Sequence, residues 1–103
     1  MYRGTTPTIT FHINTDIDLT EVAECWVTFK AHIGEEEKTF DKTDVIIDAQ
    51  AKTIEVAMTQ EETLYFNAGK VFVQIRLRMN DDLAYASDIK EMTMNGILKD
   101  GEI

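Results

Sequence analysis

The run Lys70-Val-Phe-Val-Gln-Ile-Arg-Leu-Arg-Met79 decides the fold. Val71, Val73, Ile75, Leu77 and Met79 alternate with Phe72, Gln74, Arg76 and Arg78. A period of two sends the two sets to opposite faces of a strand. The aliphatic set then faces a core, and the arginine set faces water or a partner. Asn67-Ala-Gly69 before the run and Asn80-Asp-Asp82 after it are turn chemistry. The segment is therefore predicted as a central strand of an antiparallel sheet.

Working outward, the same period recurs. Residues 1–6 have none and read as a flexible arm, and Pro7 suits the start or edge of a strand. Ile9, Phe11 and Ile13 alternate with Thr8, Thr10 and His12 in a first strand, closed by the turn Asn14-Thr-Asp-Ile-Asp18. Leu19 to Val22 reads as a loose turn into a second long strand, Ala23 to Ile33. There Cys25, Val27, Phe29, Ala31 and Ile33 share one face, and Trp26, Thr28, Lys30 and His32 share the other. Beyond the charged hairpin Gly34–Glu37, Lys38–Lys42 is short and charged, as suits an edge strand that resists unwanted pairing. Val45–Asp48 and the alternating Ile54, Val56 and Met58 continue a meander of short strands.

One helical signal interrupts it. In Thr59-Gln-Glu-Glu62 a threonine is followed three residues later by glutamate, which forms a capping box. Leu64 and Phe66 are placed to pin the single turn to the core, with Gly69 available as a left-handed stop. The last strand, Leu83 to Met94, changes phase between Ala86 and Met92, which calls for a bulge or a change of sheet near Ser87-Asp88. Residues 95–103 read as a C-terminal tail. About seven strands at roughly 8–12-residue spacing predict one all-β domain, an immunoglobulin-like antiparallel β-sandwich with one short helical turn.

Composition narrows the function. The 103 residues suit a single domain with an adequate core. Ten basic residues against nineteen acidic ones give a net charge of −9, which disfavours nucleic acid and anionic membranes as partners. No apolar run approaches the ~20 residues that cross a bilayer, and Met1–Pro7 lacks the apolar core of a signal peptide. Cys25 is the sole cysteine, so it forms neither an intramolecular disulfide nor a cysteine-based zinc site. It falls on an apolar phase and reads as an inert buried thiol.

His12 and His32 fall on polar phases, with no carboxylate or cysteine arranged around them. Asp16 with Asp18, and Asp81 with Asp82, lack the ligand spacing of a calcium loop and read as turn residues. No phosphate loop, serine nucleophile motif or HExxH occurs. The expectation is a non-enzymatic protein with no catalytic residue, cofactor or metal. The unusual residues lie on the polar faces of the two long strands. Trp26 and Phe72 are large aromatics that should stand near Lys30, Arg76 and Arg78. Aromatics and arginine are enriched at interface hot spots, so Trp26, Phe72, Arg76 and Arg78 form the candidate interaction face. The rival is a carbohydrate- or small-ligand-binding module, with Trp26 stacking on a sugar.

The opening Arg3-Gly-Thr-Thr-Pro-Thr-Ile9 resembles the start of small prophage-encoded structural proteins of tailed phages. So do Ala23-Glu-Cys-Trp-Val-Thr-Phe29, the Thr59–Leu64 corner, Ala68–Val71 and Ile97-Leu-Lys-Asp-Gly101. The chain is also similar to the N-terminal immunoglobulin-like domain of upper baseplate proteins. The resemblance implies a virion protein associated with the tail or baseplate, found in the virion or, before assembly, in the cytoplasm of a bacterial host. Its implied partners are other phage structural proteins or further copies of itself. It implies no active-site residues.

Overall fold

The computed structural model describes residues 1–103 as two antiparallel sheets packed face to face. In chain order the strands are β1 (Thr8–His12), β2 (Val22–Ala31), β3 (Glu37–Phe40), β4 (Ile46–Asp48), β5 (Thr53–Ala57), β6 (Gly69–Met79), β7 (Ala84–Ala86) and β8 (Lys90–Met94). The single α-helix, α1 (Gln60–Tyr65), lies between β5 and β6, and a 3₁₀ turn over Leu19–Glu21 precedes β2. The small sheet has the order β1-β5-β4; the large one runs β3-β2-β6-β7, with β8 also on β6. The fold is an all-β sandwich.

The predicted central strand is central. β6 pairs with β2 along nearly its whole length and with β7 and β8 on its other side. All five of its aliphatic residues are buried, whereas Arg76 and Arg78 are exposed. Across from them Cys25, Val27 and Phe29 are fully buried, and Phe29 packs edge-on against Phe40 with centroids 5.7 Å apart. Ile54, Val56 and Met58 close the core from the small sheet. The predicted face of the second strand fails at its ends. Ala23 is bulged out of the ladder, so Val22 takes the inward place opposite Met79. Ile33 lies beyond the end of β2 and is exposed, because nothing faces it.

The phase change near Ser87 is a bulge, and the strand stays in its sheet. Arg76 pairs with Ala86 and Val73 with Lys90, so Gln74 and Ile75 on β6 face three residues, 87–89. Ser87 pins the extra residue. Its amide donates to Ile75 O at 2.8 Å, and its Oγ accepts from the Ile75 amide at 3.0 Å. With β7 and β8 counted as one bulged strand, the predicted seven strands remain.

The Thr59 corner forms as expected and carries the chain from the small sheet to the large one. Thr59 Oγ1 accepts from the Glu62 amide at 3.2 Å, while Glu62 Oε1 accepts from the Thr59 amide at 2.8 Å. Gly69 is not the helix stop. The helix ends at Phe66, in extended backbone and fully buried, and Gly69 opens β6 with φ +140°.

The expected flexible arm is instead stitched down. Tyr2 makes a parallel bridge to Asn95, and the Arg3 amide donates to Asn95 O at 3.0 Å. The Arg3 guanidinium donates to Phe66 O and Leu64 O at 2.7 and 3.1 Å and pairs with Asp100 of the tail. These carbonyls belong to the last turn and C-cap of α1, where backbone acceptors lack helical partners. Thr63, wholly buried, donates to Thr5 O at 2.9 Å. Arm and tail thus satisfy each other and the corner. No helix is long and apolar enough to cross a membrane.

Candidate interaction face

The outer face of the large sheet collects the residues of opposite phase on β2 and β6. Register sets their neighbours: Glu24 beside Arg78, Trp26 beside Arg76, Thr28 beside Gln74, Lys30 beside Phe72. Trp26, the only tryptophan, is 46% exposed, and the Arg76 guanidinium lies 5.5 Å from its ring centroid. This is cation–π distance, worth about 0.5–1 kcal/mol at an exposed site. Arg78 reaches Asp82 at 3.6 Å. Glu24 is drawn away from both arginines, since its Oε1 accepts from the Cys25 and Lys42 amides at 2.9 and 3.1 Å.

The next strand over leaves these cations uncovered. Ala86 stands beside Arg76 and Ala84 beside Arg78. A larger residue at either position would lie over a guanidinium. The result is a shallow hollow of about 170 Å³ lined by Glu24, Trp26, Arg76, Arg78 and Ala84. Sequence pattern singled out the arginines and missed the alanines, whose role depends on the β6–β7 register.

Phe72 shares the face without joining this group. Its register partner is Lys30, four residues along β2 from Trp26, or about 13 Å at strand rise. Between them lie Thr28 and Thr39, joined through their hydroxyls at 2.9 Å, and Gln74, tied to Ser87 O at 2.9 Å. Phe72 is half-buried, with His32 edge-on at 5.1 Å. The expected pair of adjacent aromatics is therefore two separate sites on one face, because Trp26 sits mid-ladder and Phe72 near its end. Lys30, Lys70, Arg76 and Arg78, four of the ten basic residues, all point to this side. The register also places the carboxylates Glu24, Glu37 and Glu91 on this face, Glu91 within 3.4 Å of Lys70.

The other candidates have local roles. His12 and His32 are exposed. Asp18 accepts from the Thr20 amide at 3.0 Å and hydroxyl at 2.7 Å, which holds its carboxyl below the ordinary range; Asp41 is lowered in the same way by Thr43. Asp81 accepts from the Leu83 amide at 3.1 Å. No three histidine, cysteine or carboxylate side chains stand close enough together to hold a metal ion. Burial, reinforced by the Glu24 charge, pushes the Cys25 thiol up to about 11, so it stays protonated at neutral pH.

Compared with known proteins, the chain matches no family model, no curated sequence and no solved structure at a significant level. The resemblance to prophage structural proteins rests on the sequence motifs alone.

Proposed function

We propose that the chain is a non-enzymatic structural protein that works through protein–protein contacts on the outer face of its large sheet. The observation that supports this is the half-exposed Trp26 with Arg76 laid against its ring and Arg78 alongside. Tryptophan and arginine are the residues most often found to anchor interfaces. A planar ring beside a weakly hydrated guanidinium can be desolvated by a partner at small cost. Phe72 forms a second, separate contact at the far end of the face. The sequence motifs suggest the class of partner: tail- or baseplate-associated structural proteins of a phage or prophage, or another copy of this chain.

Trp26 emission provides the test, since no other tryptophan contributes. Titration with tail structural proteins, or concentration of the chain alone, is expected to shift the emission to the blue as the face is covered. Sedimentation in parallel should show a complex that Trp26→Ala with Arg76→Glu abolishes. A complex of unchanged mass and affinity in that double variant would overturn the proposal. A blue shift produced by a glycan in place of a protein would establish the carbohydrate-binding alternative.

A further inference from the structure

The sandwich has a second open region, on its other side. The large sheet presents four columns, β3, β2, β6 and β7–β8, whereas the small sheet has only β4, β5 and β1. In the immunoglobulin-type order a further strand belongs beside the position β1 holds, completing a four-stranded layer. Here β1 pairs with β5 alone.

The free edge of β1 has unused bonding groups. The Ile13 amide donates to Lys52 O at 2.9 Å, and Pro7 O accepts from the Met58 amide at 3.0 Å. Antiparallel pairs alternate, so the odd-numbered residues bond to β5. The amides and carbonyls of Thr8, Thr10 and His12 point away from it, toward the open side. Beneath that edge the packing leaves two adjoining hollows. One hollow of about 480 Å³ lies between Phe11 and Ile13 on one wall and Val73, Ile75 and Met92 on the other. An adjoining one of about 360 Å³ continues it past Ile17 and Leu77 to Tyr85. Tyr85 is in register with the buried Leu77, hence on the inner phase, yet it remains 42% exposed.

Charge identifies the occupant. Past Tyr85 the seam opens into a mouth lined by Asp16, Asp18, Glu21 and Asp81. None of the four pairs with a lysine or arginine. A second copy, carrying nine net negative charges, is repelled from this mouth. A basic segment is attracted to it.

We propose that this seam accepts one extended segment of a partner protein, added antiparallel to β1 at Thr8–His12. Alternate apolar side chains of the segment turn inward onto Tyr85 and Met92. A lysine or arginine at its N-terminal end sits in the acidic mouth, because the C-terminal end of β1 leads there. Main-chain bonds supply affinity and the alternate side chains and end charge supply selectivity, as in other strand additions. The site is separate from the Trp26 face and does not depend on it.

The test uses the full chain and a fluorescent synthetic peptide of alternating valine and threonine led by two lysines, followed by anisotropy. The peptide is expected to bind and to slow amide exchange at Thr10 and His12. A glutamate-led peptide should bind more weakly, and Asp16→Lys with Asp81→Lys should reverse that preference. Thr10→Pro removes one outward donor and no bond to β5, and should weaken binding about tenfold. Absence of binding, equal binding of the two peptides, or unchanged exchange at Thr10 and His12 would overturn the proposal. So would a peptide response lost in Trp26→Ala with Arg76→Glu, which would place the peptide on the outer face. Self-association that Thr10→Pro abolishes would assign the seam to a second copy.

Discussion

Leu77 and Tyr85 are opposite neighbours across one ladder, on the same inner face of the same sheet. Leu77 is 5% exposed and Tyr85 is 42% exposed. The β2–β6 pair shows the alternation expected of a half-buried sheet, while every residue of β7 is exposed. Backbone pairing makes both segments strands. Only the layer above makes one of them core, and the small sheet stops at β1. β7 holds its place through hydrogen bonds to β6 and the Ser87 bulge, with little burial to assist.

This contrast predicts unequal effects of substitution. Phe29→Ala removes a fully buried ring from the β2–β6 interior and should cost about 3–5 kcal/mol in urea unfolding. A loss below ~1 kcal/mol would mean that the interior is far looser than its burial indicates. The raised thiol of Cys25 gives a second, smaller effect in the same region. Its folded value of about 11 lies above the ordinary 9.0, so the neutral form is favoured by folding. That contribution is complete below the unfolded value and is lost as pH rises from about 9 through 11. Stability should fall across this window in the native chain and fall less in Cys25→Ala. In the folded chain at pH 8 the thiol should resist alkylation.

At the edge, Ser87→Ala removes the oxygen that accepts from the Ile75 amide and should cost about 1 kcal/mol. Faster exchange at the Ile75 amide, without change at Val27, would confirm that the effect is confined to the bulge. Tyr85→Ser should be the mildest, within about 0.5 kcal/mol, since the side chain is 42% exposed and little of its burial is lost. A loss as large as that of a core residue would show that Tyr85 is buried in solution and would remove the contrast with Leu77. Bound strand peptide should raise the cost of Tyr85→Ser and leave that of Phe29→Ala unchanged.

The interior was legible in the sequence because β6 and β2 are long enough for period two to repeat several times, with aliphatics on a single phase. The corner was legible for a local reason, since Thr59 and Glu62 satisfy each other within one turn. Arg3 carries no such signal. Its partners Phe66 O and Leu64 O are about sixty residues away and are backbone atoms, which no side-chain pattern encodes. The candidate face was half legible. Phase put Trp26, Phe72, Arg76 and Arg78 on one side, but phase carries no information on position along the ladder. The register separated Phe72 from Trp26 and brought Ala84 and Ala86 beside the arginines.

Sequence by itself determined the all-β class, the central strand, the inward residues of β2 and β6 and the capped corner. Each depends on neighbours within a few residues or on a repeated period. Tertiary structure alone decided which edge of the sandwich was left uncovered, where the arm is fastened and which side chains stand beside Arg76 and Arg78. Those outcomes depend on how many strands each sheet holds and on the register between strands distant in the chain. Leu77 and Tyr85 share one inner face in register, and only the opposing layer decides that one is core and the other open.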